Sequence, residues 1–152
     1  YGSDYYTTFP VLPLENTVTD LNIDMIGRID DKHSKLDSNY IYIIGSDKIS
    51  HDLHNVLLKT NAKYSNLSLD FTYNTDKDPN RYYYRSDHYN FAKKGVPAIF
   101  YFNGTHEDYH RTTDDVEKID FDQMANVGKL IFHTLWDLAN RPERINVDGE
   151  IK

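Results

Sequence analysis

Three places in the sequence carry side chains whose types could do chemistry together. The first is Asp24, inside Asn22-Ile23-Asp24-Met25-Ile26-Gly27. The second is the polar run Gly104-Thr105-His106-Glu107-Asp108-Tyr109-His110. The third is Arg85-Ser86-Asp87-His88, which follows Tyr82-Tyr83-Tyr84. A carboxylate converging with an imidazole suits zinc, which takes nitrogen, oxygen or sulfur ligands; the chain has no Cys, so sulfur is out of reach. Each place also has a plainer reading. An Asp near the end of a strand can cap a turn or pair with a base, and a loop His can simply be solvated. Ser86 or Asp87 can cap a helix, and the tyrosines can pack or wall an amphipathic pocket. Ser, Asp and His adjacent in sequence do not form a catalytic triad, because neighbouring side chains cannot hydrogen-bond in series.

His106-Glu107-Asp108-Tyr109-His110 also spells H-E-x-x-H, the pattern of single-zinc proteases. The pattern works on a helix, where residues four apart share a face and both imidazoles reach one metal. Here Asn103-Gly104 precedes it, Arg111-Thr112-Thr113-Asp114-Asp115 follows it, and no apolar periodicity runs through it. The match reads as accidental. A protease built on His106, Glu107 and His110 would need a helix that the sequence does not predict.

The elements that must position these residues read as an alternation of strands and helices. Residues 2–15, with Pro10 and Pro13, predict a short helix or turn and then a loop. Residues 18–27 alternate Leu21, Ile23 and Met25 with Asp20, Asn22 and Asp24, the period of a strand, and Gly27 closes it. Residues 30–39 are polar and loop-like; 40–44 form a β-branched and aromatic strand ended by Gly45. A helix is predicted over 50–61, with Leu53, Val56 and Leu57 on one face and Ser46, Asp47 or Ser50 as cap. A third strand spans 67–73, a short helix lies near 88–94 before Gly95, and a nearly all-apolar fourth strand runs over 96–102. The last helix begins at an Asp120/Gln123 capping box and repeats Phe121, Met124, Gly128, Ile131, Leu135 and Leu138. It stops at Arg141-Pro142, and residues 142–152 form a polar tail. This order indicates an α/β domain with helices on both faces of a sheet. In such sheets functional groups gather beyond the carboxyl ends of strands, where Asp24 and the 104–110 loop fall.

Composition narrows the function classes. The chain has 152 residues, and 17 basic against 24 acidic residues give a net charge of −7. Without a basic excess, the chain as a whole is not a nucleic-acid binder. No apolar run approaches the length of a membrane span. The chain opens at Tyr1, not Met, and shows no signal peptide, so it is expected to be a piece of something longer.

Five segments in order resemble one family: Gly2-Ser3-Asp4-Tyr5-Tyr6, Asn22-Ile23-Asp24-Met25-Ile26-Gly27, Arg85-Ser86-Asp87-His88, Lys94-Gly95-Val96-Pro97 and Tyr109-His110-Arg111-Thr112-Thr113-Asp114. Together they look like the C-terminal half of the two-zinc aminopeptidases of metallopeptidase family 28, relatives of bacterial leucyl aminopeptidase, glutamate carboxypeptidase II and glutaminyl cyclase. The resemblance implies a three-layer α/β/α sandwich of the zinc-exopeptidase type. This chain would supply its C-terminal portion, with about four strands and a long C-terminal helix. It implies two zinc ions, one bound by Asp24 and the other by His110. It implies that Tyr109 stabilises the oxyanion, that Asp87 and Tyr83 line the substrate cleft, and that Asp114 orients the loop of the ligand His. The implied partner is a peptide substrate, and the implied location is secreted or periplasmic.

The resemblance also defines what is expected to lie upstream of Tyr1: the family's H-x-D motif, its bridging Asp, and the Glu-Glu pair that supplies the general base. Each zinc would keep one of three protein ligands here, which does not hold zinc at catalytic geometry. The chain alone is therefore expected to be inactive. Its sheet should expose a cut face, with self-association or a partner segment as the consequence. The competing reading is a complete, non-catalytic binding domain on the same scaffold, with Tyr82, Tyr83 and Tyr84 as its recognition surface.

Overall fold

The computed structural model describes residues 1–33 and 38–149. Part of the expected 30–39 loop and the last residues of the tail lie outside that range. The strands are β1 (Asp20–Ile23), β2 (Tyr40–Ile44), β3 (Ser68–Asp70) and β4 (Ala98–Phe102). The α-helices are α1 (Gly2–Thr8), α2 (His51–Thr60), α3 (His88–Ala92) and α4 (Phe121–Asn140). The sheet runs β1-β4-β2-β3 and is mixed: β1 is parallel to β4, β4 antiparallel to β2, and β2 parallel to β3.

The two central strands are buried at every position. Their period of two sorts the side chains into two different faces. Ile41, Ile43, Ile99 and Tyr101 meet Leu53, Val56 and Leu57 of α2 and Val127, Leu130, Ile131 and Leu138 of α4. Tyr40, Tyr42, Phe100 and Phe102 point the other way, into Tyr73, Tyr83 and Ala92. The second face is covered by α3, and α1 packs outside α3 through Tyr6 on Phe91 (ring centroids 5.9 Å) and Lys93 to Asp4 (2.8 Å). The result is the expected α/β/α sandwich. Most of the tyrosine excess is packing: rings take up area, and the buried hydroxyls of Tyr40 and Tyr42 donate to the Asn103 carbonyl (2.6 Å) and to buried Asp30 (2.8 Å).

Several boundaries and faces depart from the sequence reading. β1 is four residues long instead of ten because Met25 turns at φ 60, in the left-handed region. β3 is also shorter than expected. Ser50 caps α2, accepting from Leu53 N (3.2 Å). In α4, Asp120 accepts from Gln123 N (2.9 Å), but the Gln123 side chain does not close the capping box. It donates instead to the Tyr40 carbonyl (2.7 Å). The buried face of α4 is accordingly Gln123, Val127, Leu130, Ile131, Thr134 and Leu138, while Phe121 and Leu135 are exposed. The start of the polar tail is docked. Ile145 is in the core, Arg144 donates to the Thr17 carbonyl (2.6 Å), and Asn146 Nδ2 donates to Asp52 (2.7 Å).

Candidate active site

The site forms where β1 and β4, a parallel pair, both end. Asp24 N donates to the Tyr101 carbonyl (3.3 Å), extending the ladder by one residue before Met25 turns away. That turn leaves the Asp24 side chain exposed at the sheet's carboxyl edge. Its Oδ2 accepts from Ser86 Oγ (2.8 Å), and Ser86 Oγ accepts from Asn22 Nδ2 (2.9 Å). The amide of Asn22 thus occupies a Ser86 lone pair and directs the Ser86 proton onto the carboxylate. One Asp24 oxygen is fixed; the other meets no hydrogen-bond donor among the described residues.

The loop after β4 is built to hold its shape. Gly104 adopts φ 91, and a Cβ there would lie 2.6 Å from Asp30 Cβ, so only glycine lets the loop leave against that buried carboxylate. Asp108, itself buried, accepts from Lys118 (2.8 Å), Thr113 (2.6 Å) and Arg28 (3.1 Å). The Lys118 and Thr113 hydrogen bonds hold its carboxyl far below the usual carboxylate range, and Arg28 reinforces them. Arg28 also reaches Asp114 (3.4 Å), tying the two ends of the turn together. On this frame His110 sits at φ 58, exposed, with its ring stacked on Tyr109 (centroids 3.9 Å). Two of the four non-glycine residues at positive φ among those described, Met25 and His110, are therefore at the site, as functional strain often is.

Residues 106–110 are loop and turn, so the helix that H-E-x-x-H requires does not form. The His106 side chain is buried, with Nε2 3.9 Å from Asp114, whereas His110 faces outward. Burial, reinforced by Arg28, lowers the His106 pKa.

Asp24, Tyr109, His110 and Asp114 line one open cleft of about 700 Å³, together with Met25, Arg28, Arg85 and His106. A slot of about 60 Å³ opens from it between Tyr82, Ser86, Phe100, Phe102 and Thr105. Tyr83 and Asp87 are placed elsewhere. Tyr83 is buried, with its ring edge where a Gly45 Cβ would stand, and it borders a separate hollow with Lys48 and His51. Asp87 accepts from Ser3 Oγ of α1 and makes no side-chain cap on α3. Ser86 is likewise not a cap; it serves Asp24. Behind the site, His88 is fully buried, stacked on Phe100 (4.8 Å) and edge-on to Tyr83 (5.4 Å). Burial lowers its pKa to about 4, while burial and then the charge of Asp87 raise Asp20 to about 6.

Sequence reasoning missed Asn22, Arg28, Asp108 and Lys118. Asn22 had a signal: two residues before Asp24 in a strand, it shares that residue's face. Arg28 is brought to Asp108 by folding across 80 positions, whereas Lys118 reaches Asp108 from ten residues further along the same loop.

The cleft carries the carboxylates of Asp24, Asp114 and Asp115 and the imidazoles of His106 and His110; Asp114 is paired with Arg28 and the His106 side chain is buried, whereas Asp24 and His110 are exposed to it. Among the described residues, however, no group of three or more His, Asp or Glu could hold a metal ion. A zinc site with the usual three protein ligands therefore needs groups beyond the described residues.

Peptidase family M28 matches residues 1–135, and the chain belongs to that family. Among solved structures it is similar to the LapA aminopeptidase of Legionella pneumophila (21% identity, TM-score 0.66, covering 93% of this chain and 36% of that one). It is also similar to BSAP, a zinc aminopeptidase from Bacillus subtilis (19%, TM-score 0.69, 99% and 36%). A probable zinc metalloprotease of Pyrenophora tritici-repentis is 35% identical over 79 residues, 43% of this chain and 16% of that protein. The chain thus spans about a third of the length of the solved aminopeptidases. No helix among the described residues is long and apolar enough to cross a membrane.

Proposed function

We propose that this chain is the C-terminal, site-lining part of a two-zinc aminopeptidase that removes N-terminal residues from peptides. The observation that carries the reading is that Asp24 and His110 line one cleft, with Asp24 held by a Ser86 hydroxyl that Asn22 orients. Asp24 would ligate one zinc and His110 the other. The remaining ligands and the Glu general base come from polypeptide outside these residues. Bound zinc would supply an acidified water as nucleophile. The chain's own residues do the rest: Ser86 orients the carboxylate, Asp108 and Arg28 fix the loop, and Tyr109 offers a hydroxyl to the developing oxyanion. The membership of family M28 and the zinc aminopeptidase fold of the neighbours support the reading.

The test compares hydrolysis of aminoacyl-p-nitroanilides, with added zinc, by this chain and by the full-length protein that contains it. Turnover is expected only from the full-length protein. Robust turnover by the chain alone would overturn the division of the site, and an inert full-length protein would overturn the aminopeptidase reading. The same reading extends to the sheet. Among the described residues β1 pairs on one side only, and we propose that its open side is covered by the remaining polypeptide or, in the isolated chain, by a second copy.

A further inference from the structure

We propose that a hollow beside the cleft takes the part of a peptide substrate that follows the scissile bond, and that it favours basic side chains there. The inference rests on the aminopeptidase reading and goes on to name the substrate class.

An exopeptidase holds one end of its substrate, and the rest of the chain must leave the site. The cleft adjoins two spaces. One is the slot of about 60 Å³. The other is a hollow of about 870 Å³, which shares Arg28 and His106 with the cleft and no lining residue with the slot. Of the two, only the hollow has room for a continuing polypeptide.

The free charge on the hollow has one sign. Asp31, Glu107 and Glu117 line it and are exposed, and their carboxylates make no hydrogen bond or ion pair among the described residues. Its two cations are committed: Arg28 to Asp108 and Asp114, and Lys118 to Asp108. Its other carboxylates are taken up as well. Asp30 receives the Tyr42 hydroxyl, and Asp120 caps α4. Three uncommitted carboxylates around one concave surface focus a negative potential into it. None of the three lies in the five segments that resemble family M28.

His106 stands where cleft and hollow meet. Its side chain is only 8% exposed. Nδ1 is buried without a partner among the described residues, and Nε2 lies 3.9 Å from Asp114, too far for a hydrogen bond. A buried imidazole with neither nitrogen satisfied calls for a partner. A peptide backbone passing from cleft to hollow brings both a donor and an acceptor. Beyond that point Lys and Arg side chains are favoured, since their long stems carry the charge out to an exposed carboxylate.

The test uses the full-length, zinc-loaded protein and three peptides that differ only after the N-terminal residue: Leu-Lys-Lys amide, Leu-Gln-Gln amide and Leu-Glu-Glu amide. Release of free leucine gives kcat/KM for each. Leucyl-p-nitroanilide, which has no residue after the scissile bond, is the reference substrate for every variant. Exposed ion pairs contribute about 1.5- to 5-fold each. With three carboxylates, the Lys peptide is expected to exceed the Glu peptide by about 10-fold or more, with the Gln peptide between them. High salt should shrink the ratio, because exposed charges are screened. The triple variant Asp31→Asn, Glu107→Gln, Glu117→Gln keeps side-chain size and should bring the Lys/Glu ratio close to one. A wild-type ratio near one, or a ratio that survives the triple variant, would overturn the basic preference while leaving the aminopeptidase reading intact. Failure to cleave the anilide and all three peptides would remove that reading and this inference with it.

Discussion

Ser86 shows how a residue's chemistry depends on what stands on either side of it. Between the Asn22 amide and the Asp24 carboxylate its hydroxyl has one orientation, so Asp24 presents one oxygen to the cleft in a fixed direction. Ser86→Ala removes the donor and leaves that carboxylate free to turn. Groups that orient a metal ligand typically contribute 10- to 100-fold. We therefore expect Ser86→Ala in the full-length protein to weaken zinc affinity by about 10-fold or more, measured by competition with a chelating dye; an unchanged affinity would count against Asp24 as a ligand. A second expectation concerns Asp20 and His88, whose effects on stability oppose each other. His88 has its pKa lowered from the usual 6.5 to about 4, so the stability it contributes is complete above 6.5 and is lost as pH falls toward 4. Asp20 has its pKa raised from 3.8 to about 6, so its contribution is complete below 3.8 and is lost as pH rises through 6. Between these limits the two slopes cancel. Asp20→Asn removes one of them. The variant's unfolding free energy should then climb with pH between 4 and 6 by about 1.4 kcal/mol per unit, with His106 adding on the same side. Urea titrations at several pH values read this directly, and a flat profile in the variant would contradict it. At this scale the strings that hold Asp24, Tyr109 and His110 are legible in the sequence, and the fold brings the three residues onto one cleft. The strand period places Asn22 on the same face as Asp24, but the role of Ser86 leaves no local mark, because its hydrogen bonds to Asn22 and Asp24 span 64 and 62 positions.

Among the elements, the loop between β4 and α4 decides whether the site exists. Its start depends on Gly104, whose φ of 91 and closeness to Asp30 leave no room for a side chain. Gly104→Ala combines backbone strain with a clash against a buried carboxylate that also receives the hydroxyls of Tyr40 and Tyr42. We expect it to cost more than about 1 kcal/mol, measured by chemical denaturation, and to make the loop more sensitive to limited proteolysis. A neutral substitution would show that the loop exit tolerates another backbone path. The strands and helices themselves were largely legible in the sequence, since period and β-branching mark them locally. Their limits and faces were less so. The apolar repeat in α4 pointed to Phe121 and Leu135, yet both are exposed, because Gln123 and Thr134 are drawn inward by the Tyr40 carbonyl and the Thr60 hydroxyl. A polar residue with a buried partner outweighs an apolar one at the margin of the stripe, and the partner lies in another element.

For the whole molecule the open question is the β1 side of the sheet. β1 pairs with β4 on one side, and Ile23 is 51% exposed. Phe121, Phe132, Leu135 and Trp136 leave much of the outer surface of α4 apolar, with Phe132 and Trp136 already in contact (ring centroids 6.0 Å). An edge strand carries unpaired backbone donors and acceptors, and monomers rarely leave such strands and large apolar patches uncovered. If the rest of the polypeptide normally supplies the cover, the isolated chain should find it in another copy. Sedimentation velocity across a hundredfold concentration range is expected to show association of this chain and not of the full-length protein. Lysine at an edge discourages strand pairing because its charge cannot be buried in a ladder. Ile23→Lys should therefore shift the isolated chain toward monomer. Because it lies beside Asp24, the variant is paired with Phe132→Lys, far from the cleft, to separate an edge effect from a disturbed site. If Ile23→Lys dissociates the chain and Phe132→Lys does not, the sheet edge is the interface. The reverse result assigns it to α4, and a monomer at every concentration would mean that the exposed edge needs no partner.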